Sequence, residues 1–276
     1  MEEVKFIRSE RFCVLPLWSW SLAAAEIKSN GESFLGVGFD RSSVIAREKA
    51  ISEAVERRIF YQWQKSRISP FDGAALSCPP AAAGSAAHFD RNHARLKSFF
   101  EWRERASLQA VAEKRLVLRP SFVPSLGVLF FPILKFLGCE VELWVSRDVP
   151  MLAFALGKLS SGGVVFGSAC HIDGETAVRC AVAECVRKLT FLKSWRASKE
   201  CSPFIGSAKF WLTPSGLQQA LKFLSFEKNA ADSVQLPEGA VETYLKELRQ
   251  GERWICSYWD PRFSLPDMEE RVVPLI

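Results

Sequence analysis

Long apolar runs are missing from this chain. No stretch of roughly 18 uncharged apolar residues occurs, so no membrane-spanning helix is expected. The longest apolar stretches, Leu126 to Leu134 and Val149 to Gly157, are too short, and each carries a proline, Pro132 or Pro150. There is no polybasic run. A formal charge of +5, from 36 basic and 31 acidic residues, selects no class of partner, and nucleic acid is not expected. The opening Met1-Glu2-Glu3-Val4-Lys5 lacks a basic segment followed by an apolar one, so no secretory signal is expected. Eight cysteines form no Cys-x-x-Cys pair, and three histidines make a second zinc-ligand pair hard to assemble. The cysteines therefore read as reduced thiols of a cytoplasmic protein. Neither G-x-x-x-x-G-K-[ST] nor G-x-G-x-x-G is present, which removes the P-loop and Rossmann sites. No Ser/His/Asp or Cys/His arrangement is readable from spacing.

What is present is a globular composition, 48% hydrophobic and 24% charged, over 276 residues. Residues 34–38 read as a glycine-bounded strand, and Asp40-Arg41-Ser42-Ser43 supplies capping chemistry for a helix over about 43–64. Asp90 opens a second helix to about Ala112, and residues 176–195 read as a third. Residues 12–18 read as a short buried strand or loop, and strands are expected over 116–122, 128–137, 140–145, 150–156 and 162–168, with Trp18, Trp20 and Leu22 on one strand face. Helices are expected over 217–226 and 239–249, and an extended tail over the last fifteen residues.

The chain repeats itself. Gly84-Ser85-Ala86-Ala87-His88-Phe89-Asp90 matches Gly167-Ser168-Ala169-Cys170-His171-Ile172-Asp173 at five of seven positions. Glu101 follows Asp90, and Glu184 follows Asp173, at one offset. Seven residues before Glu53, Glu101 and Glu184 stand Ala46, Ala94 and Ala177; three before stand Ala50, Ser98 and Ala181. Small residues at this spacing line one helix stripe, where neighbouring backbones approach closely. Three strand–turn–helix units follow, each with a capping aspartate and a glutamate about three turns further on. His88 and His171, at equivalent positions, read as turn-stabilising.

Glu53-Ala54-Val55-Glu56-Arg57 and Glu101-Trp102-Arg103-Glu104-Arg105 are both Glu-x-x-Glu-Arg. Residues i and i+3 share a helix face, so each helix presents two carboxylates side by side. One such motif is an ordinary solvated face. Two at matched repeat positions suit a cation shared with phosphate oxygens, magnesium above all, with Arg57 and Arg105 beside it. The third unit departs, with Arg187 and Lys188 after Glu184. That basic unit suits an anion held through metals, or a plain ion-pair network.

These segments resemble the YcaO family, ATP-dependent enzymes that modify peptide backbones. Lys49 to Arg57 resembles the family's Ser-x-x-x-Glu-x-x-Glu-Arg segment, preceded by a glycine-rich lead-in at Gly36-Val37-Gly38. Glu101 to Arg105 resembles its second acidic helix. Asp148-Val149-Pro150, Gly167 to Asp173 and Ala177 to Glu184 resemble its third segment. The resemblance runs in order over about 33–195. It implies an α+β, YcaO-like fold of three repeats around a nucleotide site, in a single domain over 1–276 that residues 196–276 complete. It implies ATP and Mg2+ as cofactors. Glu53, Glu56, Glu101 and Glu104 match the metal ligands, and Lys49, Arg57, Arg105 and Arg187 are the implied phosphate contacts. His93, Ser85 and Glu184 are candidates to line the site, and no catalytic proton acceptor is assigned.

The implied reaction is O-phosphorylation of a backbone amide in a ribosomally made precursor peptide, giving an azoline or a thioamide. The chain's length implies that leader recognition or catalysis is shared with a separate partner protein, and a homodimer is compatible with this. Lys49 stands where the family has serine, His93 where it has an acidic residue and Arg187 where it has glutamine. The chain is also short, and ends Val272-Val273-Pro274-Leu275-Ile276 without a proline-repeat tail. These departures carry the alternative: a catalytically degenerate scaffold that binds the precursor or a catalytic partner.

Overall fold

Three successive strands in the first forty positions build a meander. Strands β1 (Glu3–Leu15), β2 (Trp18–Ser29) and β3 (Glu32–Asp40) form an antiparallel sheet in that order. β2 turns into β3 through Asn30 and Gly31, whose φ values of 52° and 80° are what a two-residue hairpin turn needs. Helix α1 (Ser43–Ser66) then lays its alanine stripe on this sheet, with Ala46, Ala50 and Ala54 fully buried. The approach is backbone to backbone. A Cβ on Gly36 would stand 2.0 Å from the Ala50 carbonyl oxygen, and one on Gly38 would stand 1.8 Å from that of Ala46.

This is a computed structural model, and it describes residues 3–15, 18–71, 84–113, 116–121, 134–147, 149–195, 210–224, 245–250 and 252–258. The chain divides into two units, residues 1–102 with 237–266, and residues 103–236 with 267–276. The division falls inside helix α2 (Arg91–Ala112), after Trp102.

The first unit also holds β4 (Ser85–His88), β9 (Leu245–Gln250) and β10 (Arg253–Tyr258), an antiparallel sheet in the order β4-β10-β9. Ile27, Ala54, Val55, Ile59, Ala87 and Ile255 form a core here. Gly84 has φ +80°, and its carbonyl accepts the Ser98 hydroxyl, which also takes the Tyr258 N–H at 3.2 Å. Ser98 is thus a small residue whose buried polar atom is satisfied at a strand end.

The second unit is built on β5 (Arg119–Ser121), β6 (Cys139–Val145), β7 (Met151–Leu159) and β8 (Val164–His171), antiparallel in that order. β7 is buried without interruption from Leu152 to Gly157, as a continuous apolar run in a central strand requires. Helix α3 (Gly174–Trp195) lies on β8 through Gly167, where a Cβ would meet the Ala181 carbonyl at 2.1 Å and the Cys185 nitrogen at 2.5 Å. Helix α4 (Pro214–Leu224) buries Gly216, Ala220 and Leu224 along one stripe. With Leu108, Val111, Leu152, Phe154, Phe166 and Trp211 these last two residues close the unit's core.

Several expectations are corrected. Residues 245–250 form a strand where a helix over 239–249 was expected, because they pair residue for residue with β10; 239–244 lie outside the described residues. Leu134 to Phe136 are helical where a strand over 128–137 was expected, and 128–133 lie outside the described residues, as does the tail. Aspartate caps α2 and α3 through Asp90 to His93 N–H (2.8 Å) and Asp173 to Thr176 N–H (3.0 Å). In the first unit Ser42 takes that role, accepting Ile45 N–H at 3.4 Å. The reason is register: Ser42, not Asp40, stands eleven residues before Glu53, as Asp90 and Asp173 do before Glu101 and Glu184. His88 and His171 each accept, at Nδ1, the N–H of the aspartate two residues on, both at 3.0 Å. No helix among the described residues is long and apolar enough to cross a membrane.

Candidate functional site

In the first unit Glu53 is held from two sides. It accepts the Val37 N–H at 2.8 Å and the Arg57 guanidinium at 2.7 Å, and Arg57 also donates to the Leu35 carbonyl at 2.9 Å. Glu56, one turn on, accepts the Ala87 N–H of β4 at 2.6 Å and the Lys97 ammonium at 2.9 Å. Lys97 projects from α2 and is half-exposed. Desolvation pulls its pKa down, but Glu56, Glu101 and Glu53 together hold it above the usual lysine range. Arg57 thus pairs with Glu53, and Lys97 with Glu56.

The remaining first-unit candidates have other partners. Lys49 pairs with Asp40 at 2.8 Å and donates to the Phe39 carbonyl at 3.5 Å. Burial pushes the Asp40 carboxyl up, but Lys49 and the Ser42 N–H outweigh it and hold it below the usual range. Ser85 shares a hydrogen bond with Ser257 at 2.9 Å. His93 sits in the first turn of α2 against Asp90 at 3.2 Å, with its ring 4.9 Å from that of His88. Desolvation, followed by the charge of His93, depresses the His88 imidazole.

The second unit has the opposite balance. Glu104 accepts the Ser168 hydroxyl of β8 at 2.6 Å. Desolvation holds its carboxyl above the usual range despite Arg105 and that hydrogen bond. Glu184 pairs with Arg187 at 2.5 Å and with Lys188 at 3.8 Å. Burial pushes Glu184 up, but Arg187, Lys188 and Arg105 hold it below the usual range. Desolvation chiefly, with Arg187 and Arg105 nearby, depresses the Lys188 ammonium against the pull of Glu184. Three cations, Arg105, Arg187 and Lys188, thus stand with two carboxylates, a surplus of positive charge suited to an anion.

A common geometry runs through both units. The second acidic residue of a helix reaches the strand of the following repeat, Glu56 to Ala87 and Glu104 to Ser168. Three of these residues escaped the sequence reading as site candidates: Lys97, Ser168 and Lys188. Lys97 had a signal, since it precedes Glu101 by four residues as Lys49 precedes Glu53. Ser168 follows Gly167 as Ser85 follows Gly84.

Among the described residues no three His, Cys, Asp or Glu side chains gather to hold a metal by themselves. The donor set fits magnesium nonetheless. That ion takes one or two carboxylates and completes its shell with water and phosphate oxygens, and here each unit offers carboxylates already aimed by backbone or hydroxyl donors.

No protein-family model and no curated protein sequence matches the chain. Solved structures do. A YcaO from Methanopyrus kandleri, bound with AMPPCP and Mg2+, is 17% identical with a TM-score of 0.63, over 91% of this chain and 84% of that one. The E. coli microcin synthetase McbBCD complex matches at 12% identity and TM-score 0.57, over 90% and 89%. A heterocyclase in complex with substrate and cofactor matches at 13% and 0.59, over 91% of this chain and 49% of that one. Across nine-tenths of its length, the chain has the fold of the YcaO proteins.

Proposed function

We propose that this chain is an ATP- and magnesium-dependent enzyme that activates a backbone amide of a ribosomally made precursor peptide, giving an azoline or a thioamide. The observation that carries the proposal is the pairing of matched Glu-x-x-Glu-Arg helices with a basic third helix on a YcaO fold. A neighbour in that fold binds AMPPCP and Mg2+, and others are a microcin synthetase and a substrate-bound heterocyclase.

An amide is a poor electrophile, because resonance gives its C–N bond double-bond character. ATP with magnesium supplies, when bound, the phosphoryl group that turns the amide oxygen into a leaving group. Glu53, Glu56, Glu101 and Glu104 are the residues that hold the metal. Val37 N–H, Ala87 N–H and the Ser168 hydroxyl orient three of these carboxylates, so little is spent on aiming them. Arg105, Arg187 and Lys188 offer the phosphate contacts. Arg57 acts through Glu53, and Lys49 is tied to Asp40. The precursor peptide is the substrate, and a separate protein shares its recognition or the catalysis.

Calorimetric titration of the full chain with ATP tests this reading. Magnesium-dependent binding is expected, and its loss in Glu53→Gln, which keeps a side-chain acceptor for the Val37 N–H. A folded chain that takes up no ATP at saturating magnesium would sink the assignment. It would favour the scaffold reading, which the departures at Lys49, His93 and Arg187 from the family's serine, acidic residue and glutamine support. Binding of a precursor peptide or a catalytic partner, retained without nucleotide, is that reading's signature.

A further inference from the structure

We propose that Lys97 is a built-in cation that takes the place of one divalent ion among the carboxylates of Glu53, Glu56 and Glu101. The proposal rests on reading those carboxylates as the chain's cation-binding groups. A lysine ammonium is a compact point charge with three donors, and it satisfies oxygen ligands as a small hard cation does. Lys97 lies 2.9 Å from Glu56, Glu101 stands one turn after Lys97 on α2, and Glu53 stands one turn before Glu56 on α1. Glu56 and Glu53 each have one oxygen fixed by a strand N–H, from Ala87 and from Val37. Those bonds aim the carboxylates without cancelling their charge.

The repeat makes Lys97 a specific choice. Its counterpart in α1, Lys49, stands at the same register but turns away to Asp40 and the Phe39 carbonyl. Its counterpart in α3 is the uncharged Cys180. Only in α2 does the residue at this register bring a positive charge to the glutamate of the preceding helix. A divalent ion seated there would meet the ammonium a few Å away and be repelled by it. The unit therefore engages one divalent ion fewer than its carboxylates alone would take.

The test uses the full chain without nucleotide. Mn2+ is titrated, with the free ion followed by electron paramagnetic resonance and folding by circular dichroism. Lys97→Met is expected to bind one Mn2+ roughly tenfold or more tightly than the wild type, from loss of one unit charge beside the ion. Lys97→Arg should behave as wild type. The double variant Glu56→Gln/Lys97→Met should lose the gain. Equal Mn2+ binding by the wild type and Lys97→Met overturns the proposal, and so does a gain that persists in the double variant. Because nucleotide is absent, the outcome is separate from the ATP titration. A Lys97→Met chain that gains Mn2+, in a protein that binds no ATP, would remove the ATP reading and leave the role of Lys97 standing.

Discussion

Glu247 is a carboxylate held well below its ordinary range by two arginines. It takes Arg95 at 2.5 Å and Arg91 at 2.5 Å, and its pKa falls to about 2, chiefly through the hydrogen bonds from Arg95 and then Arg91. A carboxyl depressed in the folded chain adds stability above its ordinary value near 4.5, and that stability is lost as pH falls through the range toward 2. Glu247→Gln is therefore expected to cost about 1–2 kcal/mol near neutral pH after discounting for solvent screening. The gap to wild type should close as pH falls below about 4, read by urea midpoints across pH. A gap that stayed constant with pH would place the cost in packing. Glu104 has the opposite sign. Desolvation raises it, so its ionised form opposes folding as pH rises, the pattern of a group kept for binding rather than for stability.

At the scale of the element, the helix–strand contacts are set by glycine. Counting back seventeen residues from Glu53, Glu101 and Glu184 reaches Gly36, Gly84 and Gly167. At Gly36 and Gly167 the helix backbone lies where a Cβ would stand, 2.0 and 2.1 Å from a carbonyl oxygen. Gly36→Ala or Gly167→Ala must push a helix off its sheet. Each should cost about 1–3 kcal/mol or more, read as a lowered urea midpoint. Substitutions that leave the midpoint unmoved would mean the helices are not seated as described.

The same register shows how much of this was legible. Glycine, cap, small residue and glutamate all lie on the sequence at fixed spacings, and α1, α2 and α3 follow from them within a few residues. β9 was not legible. Leu245 and Leu248 stand at helical spacing, and only pairing with β10 decides between the two periods. The register marks Lys97, but its pairing with Glu56 was hidden for a related reason. Its partner Glu56 lies forty-one residues away, and nothing local marks the pair.

At the scale of the molecule, the two units divide the charge. The first places Glu53 with Arg57 and Glu56 with Lys97, and the second places Arg187 and Lys188 with Glu184. On the proposed reading a magnesium nucleotide binds the folded chain and should stabilise it. At about 100 times Kd a single site adds roughly 2.7 kcal/mol, on the order of 5–10 °C in Tm for a chain of this length. ATP without magnesium should give a smaller rise, and equal shifts with and without the metal would remove it from the binding step. The fold was legible through motifs that resemble a family, although no family model matches the sequence. A helix register tolerates change at most positions while keeping its glycines, caps and small residues, and these few positions set the geometry.

The pairing of β4 with β10 has a consequence for biosynthesis. Ala87 meets Ile255, so 168 residues separate two neighbours in one small sheet. At a ribosomal speed of about 5–20 residues per second, β4 emerges roughly 8–34 s before the strand that completes it. All of the second unit except its last ten residues is made in that interval. The nascent chain therefore carries an unpaired strand edge throughout, the kind of surface that chaperones cover and that favours aggregation when expression is fast. Slower synthesis lengthens that interval, because the strand that pairs with β4 is made only after the second unit's main segment.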